Sequence, residues 1–203
     1  MQKKAMIGFY KETTGIYRLR VPFDTVYTSV FLIRTESSVM LVDCATTATD
    51  VDEAIVPALR AMGYVLTDLR AIILTHSHSD HAGGLDRILE LAPTVEVITD
   101  VRTLDGVLEI YPMTGHTEDS IGVLDHRTHT LISGDGLQGA GVDKYRCSAP
   151  NSVAYIETVE RVRADQRIEN ILFSHAYEPW NSDRAFGRQE VDACLSACKR
   201  YLK

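Results

Sequence analysis

Short apolar runs separated by polar turns dominate the first third of the chain. Residues 15–21 and 26–34 are rich in β-branched and aromatic side chains, and residues 38–42 follow a polar turn. These runs are typical of β-strands. Residues 71–74 are wholly apolar but too few for a helix, which favours a buried strand.

Longer segments carry the spacing of helices. Residues 50–62 place Ile55, Leu59 and Met62 on one face and end at Gly63, although Pro57 leaves the start of this helix undefined. Further helices are predicted from Asp80 to about Leu91, from the N-cap Asn151-Ser152, and over residues 188–202.

The remaining apolar runs predict strands over residues 95–99, 107–113, 120–124, 130–133 and 171–173. Strands and helices therefore alternate along the chain, and this order predicts a layered α/β arrangement with helices packed on sheets. A length of 203 residues fits one domain over 1–203.

Composition narrows the possible partners. The chain is 45% apolar and 24% charged, as soluble proteins are, and no apolar run approaches the roughly 20 residues that span a bilayer. A net charge of −7 without a cluster of Lys and Arg argues against a nucleic-acid partner. Two lysines near the start precede no apolar stretch, so we expect no secretory signal. Four cysteines without a Cys-x-x-Cys pair favour a reduced, cytoplasmic setting.

Candidate metal ligands are concentrated in Thr-His-Ser-His-Ser-Asp-His, directly after the strand at 71–74. This motif supplies His76, His78, Asp80 and His81. Imidazole and carboxylate are ligands that zinc and similar metals prefer, and burying four such groups without a metal would be costly. Single candidates follow at or near later strand ends, namely His116, Asp135 and His175, and Asp43 ends an earlier strand.

Local spacing within the motif suggests two ions rather than one. His76 and His78 are two residues apart, so in extended chain their side chains point the same way and can bind one ion together. Asp80 and His81 lie at the start of the next helix and point elsewhere.

The ordered set His-x-His-x-Asp-His, Gly-His, Gly-Asp, Ser-His resembles the metallo-β-lactamase-fold hydrolase superfamily, from about residue 30 to 175. The resemblance implies a four-layer αββα sandwich with metals at the edge between two sheets. It also implies the ligands of two divalent ions: His76, His78 and His116 for the first, Asp80, His81 and His175 for the second, with Asp135 bridging them.

The activity implied is hydrolysis of an ester, thioester or lactone of a small molecule through a metal-bridging hydroxide. Zinc is the expected metal, with iron or manganese as alternatives. Asp80 or Asp135 would orient the nucleophile or move a proton, and Asp43 would orient the histidine loop. Thr117, together with Asp119 and Ser120, would support His116. The alternative is a mono-iron oxidoreductase of the persulfide dioxygenase type.

Several residues of this chain differ from the patterns of particular subfamilies and argue against membership in them. Asp135 stands where most β-lactamases carry Cys or Ser, and His78 where flavodiiron oxidoreductases carry Glu. The seven ligands match glyoxalase II, but only 28 residues follow His175, so its helical glutathione-binding domain is not expected. Gln138 stands where quorum-quenching lactonases have a catalytic Tyr; Tyr145 would substitute only if the loop at 136–141 folds back.

One spacing bears on oligomeric state. About sixteen residues separate the strand ending at Thr99 from His116, with room for only a very short helix at 100–104. This predicts an open site, or one completed by a partner subunit in a homodimer. Residues 137–147, rich in glycine, are the expected substrate loop.

Overall fold

The computed structural model describes residues 8–23, 25–137, 149–177 and 180–200. The chain divides into two compact units. Unit 1 comprises residues 1–74 and 78–98, and unit 2 comprises residues 75–77 and 99–203. Each unit contains a mixed six-stranded sheet, which confirms the predicted α/β class. The single domain over 1–203 stays a prediction.

The sheet of unit 1 follows chain order. Its strands are β1 (Tyr10–Thr13), β2 (Ile16–Phe23), β3 (Val26–Arg34), β4 (Val39–Val42), β5 (Ala71–Ile73) and β6 (Glu96–Ile98). Neighbours from β1 to β4 are antiparallel, whereas β4, β5 and β6 are parallel. Because β4 and β5 run in the same direction, the segments that leave them start at one edge of the sheet. The sequence pattern predicted all of these strands except β1.

The predicted helix at 50–62 has a π-helical middle. It consists of α1 (Ala48–Asp50), a π-helical segment (Val51–Ile55) and α2 (Val56–Ala61), and a 3₁₀ turn follows at Leu66–Asp68. A capping box between Thr47 and Asp50 begins it. Pro57 is the second residue of α2, just after the π-helical segment has interrupted the regular α-helical hydrogen bonds, so its missing N–H does not end the helix.

The predicted continuous helix at 80–91 is wrong. The structure has α3 (Ser79–Ala82) and α4 (Leu85–Leu91), separated by Gly83 and Gly84. A Cβ atom at Gly83 would lie 2.0 Å from the carbonyl oxygen of Thr46, and one at Gly84 would lie 2.2 Å from that of Cys44. The glycine pair therefore lets the chain after β4 pack directly on this backbone.

The sheet of unit 2 has the spatial order β12-β11-β10-β9-β8-β7. Its strands are β7 (Thr103–Leu104), β8 (Leu108–Pro112), β9 (Ile121–Asp125), β10 (Thr130–Ile132), β11 (Asn170–Leu172) and β12 (Arg184–Phe186). Only β10 and β11 are parallel among these pairs. The short helix expected at 100–104 is therefore wrong, because Thr103 and Leu104 pair with β8 as a strand. The pattern did not predict β12.

Helices cover a face of each sheet with apolar contacts. In unit 1, Ile55 and Leu59 belong to one buried cluster with Leu32 and Leu41 of the sheet. In unit 2, α5 (Ser152–Ala164) and α6 (Arg188–Arg200) contribute the buried residues Val159, Val162, Val191, Cys194, Leu195 and Cys198. Among the described residues, no helix is long and apolar enough to cross a membrane.

Candidate metal centre

Unit 1 supplies three of the predicted ligands from the start of α3. His78 is the exposed N-cap residue of this helix, Asp80 is half-buried and His81 is fully buried. Nε2 of His81 lies 3.6 Å from a carboxylate oxygen of Asp80. One turn of helix therefore presents an imidazole nitrogen and a carboxylate side by side, which are chemically suited to one cation.

Asp43 contacts His81 from the end of β4. Its Oδ2 atom lies 2.8 Å from Nδ1 of His81, and both side chains are buried. The backbone N–H of Cys44 also donates to the carbonyl oxygen of His81 at 2.8 Å. A carboxylate on Nδ1 leaves Nε2 as the free ligand atom and fixes the orientation of the ring. This contact supports the predicted role of Asp43 in orienting the His81 ring, and that role stays a prediction.

The backbone at Asp43 is unusual. Its φ is 64°, in the left-handed region that aspartate and asparagine enter more readily than other non-glycine residues. Ala45 has a φ of 59°, without a polar side chain to compensate. Two left-handed residues within three positions turn the chain sharply after β4, and this turn directs the Asp43 carboxylate at His81.

Unit 2 supplies the other four predicted ligands, all of them buried. His76 lies in the short segment 75–77, where the carbonyl oxygen of Thr75 accepts from the N–H of Ile121 at 2.8 Å. The other three, His116, Asp135 and His175, follow the ends of β8, β10 and β11. None is more than 5% exposed. Because β10 and β11 are parallel, the segments carrying Asp135 and His175 leave the same edge of the sheet.

Asp135 lies between two of these histidines. Its Oδ2 atom is 3.8 Å from Nε2 of His116, and its Oδ1 atom is 3.4 Å from Nε2 of His175. The ring of His76 meets that of His116 edge to face, with 4.9 Å between centroids. Each oxygen of one carboxylate thus faces a different imidazole nitrogen, as a bridging ligand would.

Glycine turns place two of these ligands. Gly115 has a φ of 129°, and a Cβ atom there would lie 2.4 Å from Cα of Tyr155 on α5. Gly134 has a φ of 53°, and its Cβ would lie 2.6 Å from the side chain of Thr75. At positions 115 and 134 the backbone therefore packs too closely against neighbouring residues for any side chain to fit.

Two contacts escaped sequence reasoning. The hydroxyl of Thr75 lies 3.1 Å from Nδ1 of His76, which leaves Nε2 of that ring for a metal. The ring of Tyr177 stacks on that of His175 at 4.9 Å between centroids. The only sequence signals were a hydroxyl residue directly before the first histidine and an aromatic residue two positions after the last.

The histidines excluded from the site have other partners. Nε2 of His126 lies 3.2 Å from Glu109, and Nδ1 of His129 donates to the carbonyl oxygen of Arg167 at 3.1 Å. Gln138 and Tyr145, predicted in the substrate loop, lie outside the described residues.

A cavity of about 440 Å³ opens beside His116 in unit 2. Thr117 and Glu118 line it next to this histidine, and Asn151 and Ala154 line it from the start of α5. Its size lies within the range of small-molecule sites.

The buried donor set suits a divalent metal. Buried imidazoles and carboxylates within one turn or one strand edge cost free energy unless a cation or hydrogen bonds balance them. Nitrogen and oxygen ligands of this type are preferred by zinc, iron and manganese, and sulfur ligands are not among the predicted set. The structure thus provides candidate His and Asp ligands for a divalent metal.

The chain is similar in sequence and in fold to proteins of one superfamily. The family model of the Metallo-beta-lactamase superfamily matches residues 23–103. A hydroxyacylglutathione hydrolase from Methylobacillus flagellatus is 24% identical over 168 residues, which are 70% of this chain and 66% of the relative. The chain thus matches slightly less than two thirds of that relative's length.

Two solved structures share the fold at low identity. A metallo-β-lactamase from Erythrobacter litoralis superposes with a TM-score of 0.70 at 21% identity, covering 94% of this chain and 95% of that one. Rubredoxin oxygen:oxidoreductase from Desulfovibrio gigas has a TM-score of 0.72 at 14% identity, covering 96% of this chain and 61% of that one. These similarities support the metallo-beta-lactamase superfamily, and the chain has the α/β sandwich fold of these structures.

Proposed function

We propose that this protein is a binuclear metal-dependent hydrolase that cleaves an ester, thioester or lactone bond of a small molecule. The observation that carries the proposal is the position of Asp135. One of its oxygens faces His116 and the other faces His175, so a single carboxylate serves two ligand positions.

The proposed ligand sets follow the family pattern. His76, His78 and His116 bind one ion, Asp80, His81 and His175 bind the other, and Asp135 bridges them. Three observations support this assignment: the Thr75 and Asp43 contacts leave Nε2 available on His76 and His81, and the rings of His76 and His116 are adjacent.

The ions, when bound, would supply a water nucleophile at neutral pH and stabilise negative charge on the substrate oxygen. The residues of the chain provide the rest. Asp80 is the half-buried carboxylate of the set, so it is placed to accept a proton from water and release it. Asp43 keeps the His81 ring in one orientation through Nδ1. We expect zinc, with iron or manganese as alternatives.

The substrate is proposed to be a small molecule that occupies the cavity beside His116. Its volume of about 440 Å³ accommodates one small acyl or leaving group. The hydroxyacylglutathione hydrolase among the relatives supports including a thioester among the candidate substrates. An Ala154→Phe variant would fill part of the cavity and is expected to raise KM at least about 10-fold with a smaller change in kcat. Unchanged KM would place the substrate elsewhere.

The deciding experiment is metal content per chain, measured by elemental mass spectrometry on protein purified without added metal. Two ions per chain, together with hydrolysis of a member of an ester, thioester and lactone panel, would support the proposal. Activity should disappear with a chelator and return with zinc, iron or manganese. A single iron without a second ion would overturn the binuclear assignment and favour the mono-iron oxidoreductase. Asp135→Asn is the matched variant, because it keeps the shape of the side chain and removes its charge.

A further inference from the structure

Asp119 joins the two loops of unit 2 that carry His76 and His116. Its exposed carboxylate accepts hydrogen bonds from the side chain and backbone N–H of Ser77, from the side chain of Thr117, and from its own N–H. Ser77 directly follows His76, and Thr117 directly follows His116. One side chain therefore contacts the neighbours of two predicted ligands.

These hydrogen bonds favour the charged form of the carboxylate. Partial burial alone would raise the pKa of Asp119, but the hydrogen bonds from Thr117 and Ser77 outweigh it and hold the pKa below its usual value. Asp119 is thus a carboxylate at neutral pH, and hydrogen bonds to a charged acceptor are stronger than neutral ones.

The surrounding contacts make Asp119 part of a local network. The hydroxyls of Thr117 and Ser120 lie 2.6 Å apart, and the N–H of Thr117 donates to Ser120 at 3.2 Å. The N–H of Ile121 donates to Thr75 at 2.8 Å, on the other side of His76. The segment 75–77 is thereby fixed on both sides of His76: through Thr75 by the backbone of β9, and through Ser77 by Asp119.

We infer that Asp119 is a positioning residue that sets the separation and angle of the His76 and His116 rings for the ion they share. The inference rests on the proposed metal site. Outer-sphere residues that orient metal ligands typically contribute 10–100-fold in metal affinity. Loss of the carboxylate is therefore expected to weaken one of the two ions by about 10–100-fold and to leave the other unchanged.

The test combines a measurement without metal and one with metal. In the metal-free protein, exchange of the Ser77 amide hydrogen reports the contact directly, because this residue is exposed. Asp119→Ala should speed this exchange at least about 10-fold. Zinc affinity is then measured by competition with a chromophoric chelator, and the visible spectrum of the cobalt-loaded protein reports ligand geometry.

Conservative and matched variants make the result specific. Asp119→Asn keeps one acceptor oxygen, so it should retain more of the zinc affinity than Asp119→Ala. Ser77→Ala combined with Asp119→Ala should add little to the single change if the two side chains act together. Glu157→Ala removes an exposed carboxylate from the middle of α5 and is expected to match the wild type in all three measurements.

Two outcomes overturn the inference in distinguishable ways. If the wild type binds two ions and Asp119→Ala binds both as tightly as Glu157→Ala does, Asp119 does not position the ligands and the proposed function stands. If the wild type binds no metal, the proposed function fails and this inference fails with it, even when Ser77 exchange responds to Asp119→Ala.

Discussion

The two units supply candidate ligands in different ways. Unit 1 contributes His78, Asp80 and His81 from four consecutive positions at the start of one short helix, and Asp43 contacts one of them. Unit 2 contributes His76 and three side chains that are about 20 to 40 residues apart along the chain, each at a separate strand end.

This difference shows which kind of site can be recognised along a chain. Consecutive ligands are positioned by local helix geometry, so a short motif reveals them. Dispersed ligands are positioned by strand order and by glycine turns such as those at Gly115 and Gly134, and each single histidine is uninformative alone. Substitutions near the two sets should therefore differ in their effect on stability. The ligands of unit 1 are held by local helix geometry and the Asp43 contact, whereas those of unit 2 depend on the packing of the sheet.

Removing one ligand from each unit is the strongest test of this comparison. His81→Ala and His175→Ala should each lower the metal content from about two ions to about one per chain, because both residues belong to the same proposed ion. Elemental mass spectrometry measures this directly, and His129→Ala serves as the control since His129 lies outside the site. If only one of the two variants loses an ion, the assignment of the other ligand is incorrect.

Replacing a glycine in a turn should destabilise the protein more in unit 2, where the turn before His116 packs on α5, than in unit 1. Gly115→Ala is expected to lower the free energy of unfolding by about 2–4 kcal/mol, because the added Cβ would overlap the backbone of Tyr155. Gly63→Ala in unit 1 also has positive φ but open space around it, so we expect a cost of about 1 kcal/mol. Urea unfolding of both variants measures the difference. Equal costs would mean that backbone conformation alone, and not packing on α5, explains the need for glycine at 115.

In unit 1, the orientation of the His81 ring depends on the carboxylate of Asp43. Asp43→Asn keeps a residue that tolerates a φ of 64° but weakens the hydrogen bond to His81, so metal affinity should fall by about 10–100-fold with little loss of stability. Asp43→Ala should lose the same affinity and, in addition, about 1 kcal/mol of stability from the strained backbone. Chelator competition and thermal unfolding separate the two effects. Wild-type affinity in Asp43→Asn would show that the backbone turn alone orients His81.

Buried thiols report whether the two units unfold together. Burial, followed by the nearby charge of Asp43, raises the pKa of Cys44, and a hydrogen bond with Cys198 and burial raise that of Cys194. Both thiols should stay neutral and resist alkylation in the native protein up to about pH 8. Pulse alkylation across a urea gradient, read by peptide mass spectrometry, should give one midpoint for both if residues 1–203 are a single domain. Two separate midpoints would contradict that prediction.

Sequence pattern predicted most elements but not their interruptions. Period and length were sufficient for β2, β3, β4 and β5 and for the two long helices of unit 2, because each carries buried apolar residues in a run or at helical spacing. The break at Gly83-Gly84 arises from close contact with the chain after β4, which no local pattern contains. Thr103 and Leu104 form a strand because they pair with Glu109 and Leu108 of β8, and two residues are too few to carry a periodic pattern that predicts this pairing.

The sequence indicated which residues are candidate metal ligands, but it indicated few of the residues that hold those ligands in place. The motif and the three later ligands follow from residue type, spacing and family resemblance. The contacts of Thr75 and Tyr177 depend on how loops approach one another, and neither a hydroxyl nor a ring is distinctive in sequence. Position just after His116 suggested a supporting role for Asp119, but the contact of Asp119 with Ser77 depends on the approach of two loops. The roles assigned to Gln138 and Tyr145 stay predictions.

The division of the chain has a consequence for dissecting the gene. The segment Thr75–Ser77 belongs to unit 2, although it is encoded within unit 1, between Leu74 and His78. A cut after Ile98 would leave His76 on the fragment of unit 1, and a cut before Thr75 would transfer the whole His-rich motif away from β1 to β5. No single cut therefore gives each unit all of its own ligands and none of the other's, so a split reporter or an exchange of halves between relatives would always place at least one ligand on the wrong fragment.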